Sequence, residues 1–248
     1  MNNAHENDEF FMRQALEIAK TNLGKTSPSP SVGCVIVKDG MIIGTGVTDI
    51  GGRPHAEYQA ISMAGDLAIG AEIYVTLEPC AHESHRGPAC SNILLDIKPK
   101  RVIIAHLDPD PRTSGKGVSR LLANEIQTKI GILEHEARKV NAGFINWILH
   151  KKPIIGISET GESYDAAFEM RHGENFETAL LRHGEMGHTR VWVDENHFHF
   201  NELKNNNLIW SGTTKSSNVP GHIDETAGNI INEIVTQMRK DGSLPPKK

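Results

Sequence analysis

The sequence has no excess of basic charge, no long apolar run and very little cysteine. Lys and Arg number 26 against 31 Asp and Glu, a formal net charge of -5, so there is no overall basic field for gripping a phosphate backbone. That speaks against a nucleic-acid partner. No apolar stretch approaches the ~18 residues that a membrane helix needs, and the acidic opening MNNAHENDEFF lacks the basic and apolar regions of a secretory signal. A soluble cytoplasmic protein with no membrane partner is the expectation. Of the three cysteines, Cys34 lies inside the apolar run SVGCVIV and reads as a core residue, not a redox centre. Cys80 and Cys90 are left for chemistry. A chain of 248 residues suits one domain of ordinary size with a smaller appendage.

The remaining chemistry falls in a short pattern: PHAE at Pro54 to Glu57, LEPC at Leu77 to Cys80, then Cys90. Zinc takes imidazole and thiolate ligands, and a catalytic site keeps the fourth tetrahedral position open for water. His55, Cys80 and Cys90 supply three positions, and Glu57 is the candidate proton shuttle. Water at such a metal ionises near pH ~7 instead of ~15.7 and needs a nearby group to carry protons to the leaving group. Histidine, glutamate and a later proline-cysteine, in that order, are the signature of zinc deaminases that replace an exocyclic amine on a pyrimidine or purine with oxygen. A purely structural zinc site would more usually recruit a fourth Cys or His and would have no use for Glu57.

Periodicity predicts alternating helix and strand. Phe11, Ala15, Leu16, Ala19 and Leu23 recur at helical spacing, TSPSPS interrupts them, and Val32 to Val37 reads as a strand turning at Lys38-Asp39-Gly40 into MIIGTGV. Pro54 suits the first turn of a helix presenting His55 and Glu57. Ile73 to Leu77 reads as a buried strand delivering Cys80, followed by a helix from Cys90 and a strand over Arg101 to His106. A helix around Val118 to Asn124, a short strand near Lys129 to Ile132 and one helix from about Glu134 to His150 complete a three-layer α/β/α sandwich with a mixed sheet. Ala137, Val140, Phe144 and Ile148 mark the packed side of that last helix.

TSPSPSVGCVIVKDG, GGRPHAE, YVTLEPCAH, GPAC and DPDPRTSGKG together resemble the deaminase half of the RibD-type riboflavin-biosynthesis family, a branch of the cytidine-deaminase-like superfamily. The resemblance runs over residues 8–150. It implies zinc ligation by His55, Cys80 and Cys90, proton shuttling by Glu57, and hydrolysis of the amine of 2,5-diamino-6-ribosylamino-4(3H)-pyrimidinone 5′-phosphate. It also implies that His82, Arg86 and Asp108 line the substrate pocket, and that the chain forms a homodimer. Nine residues separate the two cysteines, whereas deaminases of transfer RNA, cytidine or deoxycytidylate resemble one another in a compact PCxxC. Ser29 and Asp110 stand where the family pattern carries asparagine, and Gly87 where threonine is common. These positions are substrate-facing, so Ser29 and Asp110 join the expected substrate contacts.

Residues 151–248 depart further from the family, in which this half reduces the ribose with NADPH. KKPIIGISETGESYDA resembles the opening strand of that reductase half, and TRVWVDENHFHFNELKNNNLIWS a later pair of its strands. Ser158 stands where the reductase carries lysine, and the region has no glycine-rich loop to approach cofactor phosphates. The expectation is a small, degenerate α/β reductase-like region without a nicotinamide site. Trp147, Trp192 and Trp210 suit a core or a subunit interface. Ile223, Ala227, Ile230, Ile231, Ile234, Val235 and Met238 form a helical stripe, and His197 and His199 share one face of a predicted strand. Two alternatives stand beside the riboflavin reading: a deaminase of another base, such as an adenosine in transfer RNA, and a non-catalytic zinc-stabilised partner of a separate reductase.

Overall fold

The computed structural model describes residues 2–83 and 87–210. Two sheets organise them. The chain opens with α1 (Asn2–Lys20), β1 (Gly33–Lys38) and β2 (Met41–Val47). Asp39 and Gly40 between the strands have φ of 51° and 78°, the left-handed pair that a two-residue hairpin of right-handed twist requires. Then follow α2 (Ala56–Ala64), β3 (Glu72–Val75), α3 (Cys90–Ile97), β4 (Arg101–Ile104), α4 (Lys116–Ala123), β5 (Gln127–Ile130), α5 (Glu134–Val140) and α6 (Ala142–His150). The strand order is β2-β1-β3-β4-β5; β1 is antiparallel to both neighbours, while β3, β4 and β5 run parallel.

Side chains alternate across this sheet, and each face finds its own helices. Cys34, Ile36, Ile73, Val75, Val102 and Ile104 pack with Ala60 of α2, Leu94 of α3 and Leu121 of α4. Val35, Val37, Tyr74 and Ile103 point the other way, onto Met12 and Leu16 of α1 and Ala137 of α5. Burying each such side chain contributes roughly 1.5–3 kcal/mol. The mixed sheet between two helical layers is therefore the expected α/β/α sandwich. Strand β2 is short of side chains where α2 crosses it: a Cβ on Gly46 would come within 2.1 Å of the Ala56 carbonyl. Glycine lets the amino-terminal end of α2, and with it His55, lie directly on the sheet.

One buried carboxylate ties α1 to three strands. Asp8, 1% exposed, accepts from the Tyr74 hydroxyl at 3.0 Å, from Arg101 at 3.2 Å and from Lys129 at 2.8 Å. Burial alone would raise its pKa, but the Lys129 and Arg101 hydrogen bonds outweigh it and hold the carboxyl below its usual range.

The second sheet contains β6 (Ile154–Ile157), β7 (Ala166–Ala167) and β8 (Arg190–Val193) in the order β6-β8-β7, with α7 (Phe176–Glu185) and α8 (Phe200–Asn205). Its core gathers Ile155, Phe168, Leu180, Val191 and Leu203.

Several elements differ from the sequence expectation. The helix foreseen over residues 134–150 is two helices, because Asn141 takes a φ of -90° and ψ of 9° between them. Its amide lies 3.2 Å from Nε2 of buried His106, an anchor that periodicity does not reveal. Strand β5 starts two residues earlier than expected. Pro54 is not in the first turn of α2: His55 occupies the N-cap with extended backbone, φ -75° and ψ 160°, and Pro54 precedes it. His197 and His199 do not share a strand; His199 is the N-cap of α8, so the expected strand pair is one strand followed by a helix. The stripe from Ile223 to Met238 lies outside the described residues.

Candidate metal centre and substrate cleft

Two helix starts and one strand exit converge on a single spot. His55 caps α2 without using its side chain on the backbone, which leaves the imidazole free to face the two thiols. Cys80 follows β3, and Cys90 is the first residue of α3. His55 Nδ1 lies 3.1 Å from Cys90 Sγ and 3.6 Å from Cys80 Sγ. A tetrahedral zinc with ordinary Zn–N and Zn–S bonds separates such ligands by about 3.6 Å. The three donor atoms all lie within 4.8 Å of one another, and among the described residues they form the one group of His, Cys, Asp or Glu positioned to hold a metal ion. One nitrogen and two sulfurs suit zinc and leave one tetrahedral vertex for a reacting molecule.

Local electrostatics favour charge on Cys80. The Cys90 thiol lowers the Cys80 pKa most, and His55 and the Cys90 backbone N–H add to this, so that together they outweigh the cost of burial. The Cys90 N–H donates to Cys80 Sγ at 3.2 Å, the expected behaviour of a helix amino-terminus toward a thiolate. Hydrogen bonding to Cys80 and burial push Cys90 up. Behind the pair, Arg120 of α4 binds the Ser91 hydroxyl at 2.8 Å and the Ala81 carbonyl at 3.1 Å, and Ser91 in turn donates to the Cys80 carbonyl at 2.9 Å.

Glu57, on the first turn of α2, is 3% exposed. Burial raises its pKa, opposed by His55 and reinforced by the charge of Cys80. It lines an open cleft of about 170 Å³ together with His55, Cys80, Ser29, His82, Asp108 and Asp110. Four of the five sequence-named substrate residues thus meet the metal centre in one cleft; the fifth, Arg86, lies outside the described residues.

The loop after β4 is held by its own carboxylates. Asp108 Oδ1 accepts the Asp110 N–H at 2.8 Å, and Arg112 grips Asp110 in bidentate fashion, Nε donating to Oδ1 and Nη2 to Oδ2. Burial pushes the Asp108 carboxyl up to about 7, aided by the neighbouring charges of Glu78, Asp110 and Cys80. For Asp110, burial is outweighed by Arg112, which keeps its carboxyl low. His82 Nδ1 sits 3.3 Å from the Thr113 hydroxyl.

Glu78, Arg112 and Trp147 also line the cleft, and sequence reasoning missed all three. Glu78 sits inside the LEPC motif, two residues from Cys80, so its place in the motif was the available signal. Trp147, expected in a core or an interface, forms part of the cleft wall; α6 returns to the site only after α5 has crossed the opposite face of the sheet.

Residues 5–106 match the family model of the cytidine and deoxycytidylate deaminase zinc-binding region. The diaminohydroxyphosphoribosylamino-pyrimidine deaminase of Buchnera aphidicola is 44% identical over 138 residues, 56% of this chain and 93% of that protein. The riboflavin biosynthesis protein RibD of Aquifex aeolicus is 45% identical over 150 residues, 60% of this chain and 42% of that one. The chain thus spans less than half the length of that curated relative. A crystal structure of a diaminohydroxyphosphoribosylaminopyrimidine deaminase/5-amino-6-(5-phosphoribosylamino)uracil reductase from Thermotoga maritima is similar with a TM-score of 0.70 at 25% identity, covering 82% of this chain and 85% of that chain. Fold and site together define a cytidine-deaminase-like α/β protein with a zinc-binding region. Within that class, the chain belongs to the RibD family of diaminohydroxyphosphoribosylaminopyrimidine deaminases.

Proposed function

We propose that this chain catalyses the hydrolytic deamination of 2,5-diamino-6-ribosylamino-4(3H)-pyrimidinone 5′-phosphate in riboflavin biosynthesis. His55, Cys80 and Cys90 hold Zn2+, and Glu57 carries the protons. The observation behind the reading is the buried Glu57 carboxyl, which shares an open cleft with His55 and Cys80 of a three-ligand centre. Zinc held there supplies Lewis acidity that brings the ionisation of water toward neutral pH. Glu57 accepts the proton of the attacking water on its carboxylate and delivers it to the ring nitrogen; it then takes the proton of the newly added hydroxyl and passes it to the amino group, which leaves as ammonia as the C–N bond breaks and the carbonyl forms. The raised proton affinity that burial gives Glu57 suits a group that must hold a proton between those transfers. Ser29, His82, Arg86, Asp108 and Asp110 are assigned to substrate binding, and Asp108, with its pKa near neutrality, can donate or accept a hydrogen bond to the heterocycle.

The domain division belongs to the same proposal: a deaminase unit over residues 1–150 and a degenerate reductase-like unit over 151–248. The Thermotoga structure covers 82% of this chain, more than the 60% shared with the Aquifex sequence, which supports kinship of the second sheet with the reductase half. Ser158 in place of lysine argues that reduction is lost. Around it, a Cβ on Gly156 would meet the Tyr164 hydroxyl at 1.9 Å, and one on Gly161 would meet the Trp192 indole at 2.5 Å, so aromatic rings cover the end of β6. A separate reductase then consumes the product. A cytoplasmic homodimer is the assembly we propose; no helix among the described residues is long and apolar enough to cross a membrane.

The deciding experiment incubates zinc-loaded protein with the diaminopyrimidinone ribosyl phosphate and follows ammonia release with and without NADPH. Ammonia without NADPH oxidation is the expected result. No ammonia from metal-replete protein would refute the substrate assignment.

A further inference from the structure

We infer that the second unit buttresses the cleft of the first, with Thr189 as a positioning residue acting through Ser27; the inference rests on the deaminase reading above. The segment from Lys25 to Ser31 places Pro28, Ser29 and Pro30 in the cleft wall, and its back is covered by the second unit. Ser27 Oγ lies 3.1 Å from Thr189 Oγ1. Thr189 Oγ1 is also 3.1 Å from Asp165 Oδ2, and a carboxylate only accepts, so the Thr189 hydroxyl donates to Asp165 and accepts from Ser27. Asp165 is fixed in turn by the Arg190 N–H at 2.8 Å.

One close backbone approach flanks this relay. Gly24 has a φ of 75°, and a Cβ there would lie 2.4 Å from the Tyr164 nitrogen; only glycine allows the two chains to touch. The other cleft wall is tied to the same segment, because Trp147 lines the cleft and its indole N–H donates to the Gly184 carbonyl at 2.9 Å. Residues 184–190, between the end of α7 and the start of β8, therefore hold both walls and set the width of the substrate site. A unit that has lost its own chemistry keeps a mechanical task.

The test uses the full zinc-loaded chain as Thr189→Val, Ser27→Ala, the double variant and Thr189→Ser. It measures ammonia release from the diaminopyrimidinone ribosyl phosphate, zinc content, and amide exchange over residues 24–31. Each of the first two substitutions should raise KM roughly three- to tenfold, the worth of one hydrogen bond, with kcat and zinc unchanged. Thr189→Ser should restore KM, and the double variant should be no worse than either single one. Exchange over 24–31 should quicken in the variants that lack either hydroxyl. Unchanged KM and exchange in an active protein would overturn the buttress. Should the wild type release no ammonia, the deaminase reading fails, and exchange over 24–31 decides the buttress alone: faster supports it, unchanged overturns it.

Discussion

The backbone N–H of Asp108 donates to the Glu78 carboxylate at 3.2 Å. The same side chain accepts the N–H of Gly115 at 3.0 Å and of Val118 at 3.1 Å. One buried carboxylate, two residues before Cys80, thus fixes the whole loop that presents Asp108, Asp110 and Arg112 to the cleft. Burial raises its pKa while these backbone donors pull it down. The amino-terminus of α4 adds a favourable dipole. The Cys80 loop and the loop from Asp108 to Arg112 share this support, so a disturbance in one reaches the other.

Replacing Glu78 with glutamine keeps the volume but turns one accepting oxygen into a donor facing backbone N–H groups. At least one buried N–H loses its partner, which costs about 1–3 kcal/mol. Glu78→Gln should therefore lower Tm by several degrees and raise KM more than it lowers kcat, with zinc retained. Calorimetry and steady-state kinetics on one preparation check both. An unaltered KM would show that the loop holds its shape without Glu78.

How much of this was legible in the sequence follows from how local each feature is. His55, Glu57, Cys80 and Cys90 sit in contiguous motifs whose residue types are set by metal chemistry, and the structure brings the three ligand candidates together as the spacing implied. The five-stranded sandwich could be read because its central strands are short continuous apolar runs, buried on both faces, and its helices carry 3.6-residue stripes. The break at Asn141 could not, because it depends on a partner, His106, far away in the chain. The same holds for Trp147: helical periodicity assigns it to a packed face but does not say that the face ends at a cleft. His197 and His199 were misplaced because alternation over three residues fits a strand and a helix cap equally well.

Glu57 is isosteric with glutamine, and the substitution leaves His55, Cys80 and Cys90 untouched. We expect Glu57→Gln to bind zinc stoichiometrically and fold normally while turnover drops roughly 10²- to 10⁴-fold, the usual worth of a general acid–base group. Metal analysis alongside single-turnover ammonia release checks this. Near-normal turnover would remove Glu57 from the mechanism.

Cys90 contributes both a donor atom and the first turn of α3, and its N–H already supports Cys80. Cys90→Ser exchanges a soft thiolate for a hydroxyl that zinc binds poorly. Because metal binding and folding are coupled, the variant should be purified with less than stoichiometric zinc and should melt about 5 °C or more below the wild type. Adding a chelator to the wild type should reproduce the shift. Stoichiometric zinc in Cys90→Ser would mean that the ligand set is different.

His106 gives the fold an acid-sensitive point away from the metal. Its Nδ1 lies 2.8 Å from the Leu107 carbonyl and its Nε2 3.2 Å from the Asn141 amide; a neutral ring with the proton on Nδ1 satisfies both. Complete burial, with a contribution from Arg138, pushes its pKa down to about 3 from an ordinary 6.5. Above pH 6.5 the folded and unfolded chains are both neutral here, so this residue adds no pH dependence. Between pH 6.5 and about 3 the unfolded chain takes up a proton that the folded chain refuses, and stability falls by about 1.4 kcal/mol per pH unit, up to about 5 kcal/mol in all. Melting curves at pH 7.5, 6.0 and 5.0 should show that decline in the wild type and a flatter one in His106→Gln, which cannot titrate. Parallel declines in the two proteins would mean that His106 is not the neutral buried group described here.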